Sequence, residues 1–519
     1  MQALEWEELE QGRPASRGTE MDRPRRPGGR GQGRRGRRRP QLHHLLADLP
    51  LLVRRLLLAP SIVDNYTSEG SAQSEPSVAS YLEKLVSEKL HVGTRVIEDP
   101  NGVWVHVDFP ERELPERGWK LHVSAIPTSA QDVLDACVPV LVEERTPFKV
   151  TATMRHLIEL NEGSGGLRQA GKFLTAYPSD PDESVRLARA LDSATKGLRG
   201  PRVLDERSLS STSLVHYRFG DYVEAATTEH IGSPPDPFVA SGLVDEQKTR
   251  LIADRYLITG TLHRSVRGAV HLAVDVIEKR SCVLKRAWRD AIATPDGKDA
   301  RDRLRMEAEL LTELSGDLHF PTVSDTIEFE GDLFVAMNYV GGTTFGEMVH
   351  QMHSSGAPPD EQQIIAWGRD LAAGLDYMHD RSFVHRDLNP INVIAGTNLV
   401  LIDLELAQPI GSATTSFGAG TEGYVSPNQR NGGAASPLDD IYGLGALLVF
   451  AATGDDPDPS ALDAEAITRR AQGKGVAVQP DLARVLARCL EQDDKFASMK
   501  QVAMALSDAA GARDTFNES

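Results

Sequence analysis

The stretch HRDLNPINV (385–393), with LIDLELA (401–407) shortly after it, decides the fold of the second half of this 519-residue chain. Asp387 is placed to accept the proton of a substrate hydroxyl. Asn392 and Asp403 offer amide and carboxylate oxygen, the hard donors that Mg²⁺ takes while it bridges nucleotide phosphates. Toward the amino terminus, Lys285 lies in CVLKRA at the position of a strand. RDRLRMEAELLTEL (301–314) then carries a helical stripe of Leu304, Leu311 and Leu314, with Glu307 able to turn toward that lysine. A Lys–Glu pair of this kind holds an ammonium against phosphates. YLITGTLHRSVRGAVHLAVD (256–275) alternates apolar and polar residues around Gly260 and Gly268 and predicts two strands joined by a loop. LFVAMNYVGG (333–342) is an apolar strand that ends in a glycine pair, where a hinge between lobes belongs.

In order and spacing these residues resemble the protein-kinase signature set: loop glycines, strand lysine, helix glutamate, HRD-x4-N, an Asp-Leu-Glu triplet, GTEGYVSP (420–427) and DDIYGLG (439–445). The resemblance implies a two-lobed fold that uses ATP and Mg²⁺. Gly260, Gly268, Val270, Lys285, Glu307, Met337, Asn392 and Asp403 would bind the nucleotide and its metal, Asn392 and Asp403 as metal ligands, and Asp387 and Lys285 would be catalytic. The chain departs from the pattern in several places. Asn389 stands where Ser/Thr kinases carry a lysine, Glu405 replaces the triplet glycine, and Asn338 replaces the hinge glutamate. Asn428 replaces the glutamate after Pro427, and Lys495 stands where its arginine partner is expected, a paired replacement. The loop has no GxGxxG.

The first half opens another line. In WKLHVS (119–124) strand alternation sets Lys120, His122 and Ser124 on one face and Leu121 and Val123 on the other. VWVHV (103–107) and FKVTA (148–152) read as further strands. A helix from Ser129 carries Val133, Cys137, Val140 and Leu141 on one side. Lys149 lies inside the apolar strand PFKVTA, where burial would lower its pKa and prepare it as a general base. Arg168 in GSGGLRQAGKFLTAYP, Arg207 in GPRVLDERS and Arg218 in VHYRFG add guanidinium forks suited to a dianionic phosphate.

These segments resemble the bacterial phosphothreonine lyases. By that resemblance His122 is the general acid that protonates the leaving phosphate and Lys149 the base that removes the Cα proton. Lys120, Arg168, Tyr177, Arg207 and Arg218 form the phosphate-holding set, with Arg202 a competitor for the place of Arg207. A lyase followed by a kinase resembles the amino-terminal two thirds of class III and class IV lanthipeptide synthetases, and GKFLTAYP (171–178), VHYRFG (215–220) and HRSVRGAV (263–270) are very similar to that family. The implied function is peptide dehydration. Ser or Thr of a ribosomally made precursor peptide is phosphorylated, and phosphate is then eliminated to leave dehydroalanine or dehydrobutyrine. No cyclase sequence follows the last kinase helix, so ring closure would fall to a separate cyclase, to spontaneous addition or to no step at all; a truncated gene is a further alternative. An ordinary Ser/Thr kinase with a regulatory amino-terminal domain, and a pseudokinase scaffold, remain as other readings.

Composition frames both sites. Apolar residues at 40% and charged residues at 25% are globular averages. The net charge of −18 hides an uneven distribution: between Arg13 and Arg39 eleven arginines stand against Glu20 and Asp22, so the rest of the chain carries −27. That tract has too few apolar residues to fold and is expected to be disordered. The acidic remainder argues against nucleic-acid binding. The longest early apolar run, Leu49 to Ala59, is broken by Arg54 and Arg55 and is too short to span a membrane. Cys137, Cys282 and Cys489 fit neither a disulfide framework nor a zinc site, which points to the cytoplasm. The expected fold class is α+β, arranged as a disordered basic extension (1–77), a mixed α+β lyase-like domain (78–229), a linker (230–254), a two-lobed kinase-like domain (255–512) and a tail (513–519). A helical pattern at 81–90 opens the first domain.

Overall fold

The computed structural model describes residues 94–222, 234–245, 251–413, 420–458, 462–491 and 496–511. The Arg-rich tract, the apolar run at 49–59, the helical pattern at 81–90, Lys495, the tail and parts of the expected linker lie outside the described residues.

The first domain is built on β1 (Arg95–Glu98), β2 (Trp104–Asp108), β3 (Arg117–Val123), α1 (Ala130–Glu143), β4 (Phe148–Thr151), α2 (Met154–Asn161), β5 (Leu174–Ala176), α3 (Pro181–Ala194), β6 (Arg207–Ser208) and β7 (Val215–Asp221). The seven strands form one sheet in the order β1-β2-β4-β5-β3-β7-β6, and every neighbouring pair is antiparallel. Period-two alternation gives the sheet two unlike faces. Val105, Val107, Leu121, Val123, Phe148, Val150 and Leu174 form a core with Val133, Cys137 and Leu141 of α1 and Leu187 and Leu191 of α3. Asp180 caps α3 by accepting from the Glu183 N–H at 2.8 Å, and Pro181 occupies its first turn.

The region expected as a linker contributes to this core. Pro237–Ala240 forms a short helix, α4, and its fully buried Phe238 packs on Tyr217 and Trp119. An aromatic ring gains too much from burial to stay in a solvated connection.

The second domain starts with a five-stranded sheet of β8 (Tyr256–Arg264), β9 (Gly268–Asp275), β10 (Arg280–Ala287), β11 (Val323–Phe329) and β12 (Asp332–Asn338), in the order β11-β12-β10-β9-β8, and α5 (Ala300–Glu313) packs against it. A helical lobe follows. Its main helices are α6 (Phe345–Ser354), α7 (Glu361–His379), α8 (Pro427–Arg430), α9 (Pro437–Thr453), α10 (Ala464–Gly473), α11 (Pro480–Leu490) and α12 (Met499–Gly511). Helix α9 is buried from Asp439 to its end at Thr453, as the hydrophobic run IYGLGALLVFAAT requires. This is the two-lobed arrangement expected.

The two domains share apolar packing. Ala170 and Leu204 of the first join Ala269, Ala287, Trp288, Ala291 and Leu304 of the second in one buried cluster. Around it Arg199 donates to Asp290 at 2.8 Å, Arg289 to the Thr212 carbonyl at 3.0 Å, and Arg264 pairs with Asp205. Gly171 lets the chain pass the Arg202 carbonyl: its φ is 81°, and a Cβ there would lie 2.4 Å from that oxygen.

Trp288 is 5% exposed at the centre of this cluster and donates its indole N–H to the Ser265 carbonyl at 3.1 Å. Trp288→Ala is expected to cost about 3–5 kcal/mol of stability, measured as a lowered urea midpoint.

Candidate active sites

Cross-strand register builds the first half of the cleft expected to take the nucleotide. Lys285 on β10 stands opposite Val270 on β9 and Val335 on β12, while Met337 lies opposite Val283. The Lys285 ammonium donates to both carboxylate oxygens of Glu307, at 2.9 and 2.7 Å, and to Asp403 Oδ1 at 2.6 Å. Glu307 also accepts the Leu404 N–H at 3.2 Å, which ties α5 to the segment that carries Asp403. Burial pulls the Lys285 pKa down, but Asp403 and Glu307 outweigh it and hold the group firmly protonated.

The loop after α7 delivers the remaining groups. Asp440 at the start of α9 accepts the backbone N–H groups of His385 and Arg386, at 2.9 and 2.7 Å, and the ring nitrogen Nε2 of His379 at 2.7 Å. With its peptide fixed in this way, Asp387 faces Asn392, whose amide donates to Asp387 Oδ2 at 2.9 Å. The other oxygen, Asp387 Oδ1, accepts from the Thr421 hydroxyl at 3.1 Å and the Thr421 N–H at 3.2 Å. Burial, with Asp403 nearby, pushes the Asp387 carboxyl up to about 6.

Departures from the kinase pattern find partners here. Asn389 is buried and donates to the Thr421 hydroxyl at 2.9 Å, which ties the loop of Asp387 to Thr421 without adding a charge. Glu405 lies 3.0 Å from Arg267 and 3.7 Å from Arg303. Asn428 donates to Asp439 at 3.1 Å. The glycine assignments need a correction. The turn between β8 and β9 is Ser265–Arg267, and Gly260 lies inside β8, five residues before it, with nothing within 4 Å of the place its Cβ would take. Gly268 is needed for close packing instead, since a Cβ there would lie 1.8 Å from the Arg286 carbonyl oxygen.

A basic cleft occupies the polar face of the first sheet. His106, Lys149, Thr175, His122 and His216 are cross-strand neighbours in one row over five strands. Lys120 and Arg218 face each other two residues further along β3 and β7. Opposed residues of an antiparallel pair project to the same side, so these groups line one surface. His122 is 3% exposed, and its Nδ1 is 2.9 Å from the Thr175 hydroxyl. Burial, followed by Lys172, Arg218 and Lys120, holds its pKa well below the ordinary histidine value. Lys120 points over the Tyr177 ring, 5.7 Å from its centroid. Burial and the cations Arg218, Lys149 and Lys172 bring its pKa down to about 8. Lys149 is half-buried, with its ammonium 4.2 Å from the centroid of Trp104.

One expected residue stands apart. Arg207 pairs in register with Tyr217, whose ring lies in the apolar core, and its guanidinium binds Asp236 at 2.6 Å. It projects to the opposite face of the sheet from Arg218, so it does not enter the cleft. Its competitor Arg202 turns to the domain contact, 3.7 Å from Asp332 and above Trp288. Arg168 lies in an exposed turn that leads to Lys172.

Lys172 and Glu206 complete the cleft unforeseen. Glu206, with a side chain 2% exposed, meets Lys172 at 3.0 Å, Arg218 Nε at 3.1 Å and His122 Nε2 at 3.4 Å. Lys172 could have been found as the second basic residue of the GSGGLRQAGK loop. A glutamate among phosphate-holding arginines gives no signal in the sequence.

The family described as "RamC, N-terminal domain" matches residues 84–244, and the protein kinase domain family matches residues 263–502. The chain joins a RamC-type amino-terminal domain to a protein kinase domain. This is the domain pairing of the class III and class IV lanthipeptide synthetases that it resembles. The chain is similar to the probable SapB synthase of Streptomyces coelicolor, 27% identical over 386 residues that make up 67% of this chain and 41% of that protein. Its kinase domain is similar to the serine/threonine-protein kinase PknB of Mycobacterium leprae, 32% identical over 40% of this chain and 33% of that protein. Among solved structures, the PknI kinase domain of Mycobacterium tuberculosis is 25% identical and covers 50% of this chain and 98% of its own, with a TM-score of 0.37. The chain thus spans less than half the length of these two curated relatives.

Within the RamC-type domain, His216 is 2% exposed. Its Nε2 accepts the Val203 N–H at 3.3 Å, and its Nδ1 lies 3.1 Å from the Leu214 carbonyl. A proton on Nε2 would face an N–H group, and burial followed by Arg202 lowers the pKa to about 3. A histidine whose folded pKa is depressed contributes stability that is complete above its unfolded pKa, about 6.5, and is lost as pH falls toward the folded value. Denaturant titrations should therefore show the wild-type chain losing more stability between pH 7 and pH 4.5 than His216→Gln does. Equal losses would remove His216 as the cause.

Proposed function

We propose that the chain is a peptide dehydratase whose kinase domain phosphorylates Ser or Thr of a ribosomally made precursor peptide and whose RamC-type domain eliminates the phosphate. The observation that carries this reading is the row His106–Lys149–Thr175–His122, with Lys120 and Arg218 beside it, on one face of a domain fused to a protein kinase domain. Phosphate departs readily once cations hold its charge, whereas hydroxide does not.

In the kinase cleft, Asp387 orients the peptide hydroxyl and accepts its proton, and the ammonium of Lys285, held by Glu307, anchors the ATP phosphates. Asn392 donates its amide N–H groups to Asp387, which leaves its carbonyl oxygen for a cation. With a carboxylate of Asp403 this is a hard oxygen pair that fits Mg²⁺, and when bound the metal screens charge on the phosphates.

In the basic cleft Lys149, once its ammonium has given up a proton to solvent, takes the Cα proton of the phosphorylated residue as the neutral amine. The C–H electron pair becomes the second bond of the alkene, and the Cβ–O bond breaks with its pair on the phosphate. The charge of the bound phosphate ester offsets the cations that disfavour a proton on His122, and the imidazolium formed in that complex gives its proton to that oxygen. Lys120, Lys172, Arg168 and Arg218 hold the anion, with Tyr177 at the edge. The products are a dehydro residue and hydrogen phosphate. A separate cyclase is a further proposed partner for products that carry rings. We place the protein in the cytoplasm: its three cysteines are unpaired and buried, and among the described residues no helix is long and apolar enough to cross a membrane.

Incubation with ATP, Mg²⁺ and a Ser/Thr-rich precursor peptide, followed by mass measurement, is expected to show the loss of one water per modified residue. A gain of phosphate alone would leave a kinase with a regulatory domain, and no change would leave a scaffold. His122→Ala and Lys149→Ala are expected to accumulate phosphopeptide with elimination at least about 100-fold slower. Asp403→Asn should give neither phosphopeptide nor dehydrated product.

A further inference from the structure

We infer that Glu206 is a positioning residue of the eliminating site, whose carboxylate holds Lys172, Arg218 and His122 at the spacing that a bound phosphate ester requires. This inference rests on the elimination reading of the cleft. The three groups come from three separate pieces of chain: Lys172 from the turn before β5, Arg218 from β7 and His122 from β3. Glu206, immediately before β6, touches all of them through Oε1. Its Oε2 is buried without a hydrogen-bond partner. A carboxylate carries a large desolvation cost in such a place unless cations compensate it, and the cations in turn repel one another unless it is there.

The contacts leave the cleft open to substrate. Arg218 offers Glu206 its Nε, and its side chain is 45% exposed, so the outer edge of the guanidinium remains available to an incoming anion. Lys120 reaches over Tyr177 and contributes its charge from the other side. Glu206 thus lies beneath the cations, with the phosphate expected above them. Thr175 engages His122 Nδ1, so Nε2, which lies 3.4 Å from Glu206 and has no hydrogen-bond partner, is the nitrogen left to give the proton.

His122 is faced by Lys120 on its own strand, His216 and Arg218 on β7, Lys172 from the turn before β5, and Glu206. Without Glu206 these cations act on the imidazole uncompensated and disfavour its protonated, proton-donating form. The loss of Glu206 is therefore expected to change the pH dependence of elimination, which a purely structural role would leave in place.

The test uses the full chain. Phosphopeptide prepared with His122→Ala protein is given to wild type, Glu206→Gln and Glu206→Asp, and phosphate release is followed from pH 6 to pH 9. Glu206→Gln is expected to eliminate about 10- to 100-fold more slowly and to lose activity at lower pH on the alkaline side. Its ATP-dependent phosphorylation of fresh peptide should stay at the wild-type rate. Glu206→Asp, which keeps the charge, should recover part of the rate and the wild-type alkaline limb. Wild-type rate and pH profile in Glu206→Gln would overturn the inference, and so would faster elimination, which would make Glu206 an anion that substrate displaces. If Glu206→Gln also loses phosphorylation through misfolding, Glu206→Asp decides: slowed elimination beside intact phosphorylation supports the role, and an unchanged rate refutes it. Failure of the wild-type chain to release phosphate would instead refute the elimination reading, and the inference would fall with it.

Discussion

Each half of the chain buries one charge among several of the opposite sign. In the kinase domain Lys285 is the ammonium between Glu307 and Asp403; in the RamC-type domain Glu206 is the carboxylate among Lys172, Arg218 and His122. Buried ions persist only where partners compensate their lost hydration, so these clusters constrain the strands, helix and turns that bring them together. The two surpluses also differ in sign. Carboxylates predominate around Lys285, which suits a cation-bridged polyphosphate, and ammonium and guanidinium groups predominate around Glu206, which suits a phosphate without a metal.

The packing between the domains bears on both clusters. Ala170 and Leu204, two residues from Lys172 and Glu206 respectively, are buried with Ala269 and Trp288 of the kinase sheet. Val266, at the tip of the β8–β9 turn, lies close enough to Gly163 that a Cβ there would be 2.8 Å from a valine methyl. Arg267, next along the turn, reaches Glu405 beside Asp403. The turn over the nucleotide cleft is therefore supported on one side by the loop that carries Arg168 and on the other by the segment that carries a proposed metal ligand. Close-packed contacts of this kind transmit small displacements rather than absorb them.

Residues whose role follows from periodicity or from fixed local spacing were legible in the sequence. Alternation in WKLHVS was enough to separate Lys120 and His122 from Leu121 and Val123, and HRD-x4-N set Asp387 beside Asn392. Residues whose role depends on register between distant strands were not. Arg207 and Arg218 are both arginines near phosphate-like loops, but β6 pairs with β7 so that Arg207 stands opposite Tyr217, on the core side of the sheet. A shift of one residue would have reversed that outcome, and nothing local to GPRVLDERS encodes it. Glu206, one position away, falls on the cleft side for the same reason. The expected linker failed differently: its proline-rich start hid Phe238, which is buried completely.

Glu405 shows how a departure from a family pattern gains meaning from its neighbours. Read alone, an acid in place of the triplet glycine adds negative charge beside Asp403 and argues against nucleotide binding. In the fold it faces Arg267 from the β8–β9 turn and Arg303 from α5, two cations that the turn and the helix would otherwise set near each other. Burial and then Arg267 disfavour the charge on Arg303, and Glu405 offsets part of that. The three side chains thus join the covering turn, the helix that bears Glu307 and the segment that bears Asp403. Tight turns that cover phosphates usually owe their shape to glycine. Here Ser265, Val266 and Arg267 form the turn, and side-chain contacts to Gly163 and Glu405 supply the restraint that a glycine-rich backbone would lack.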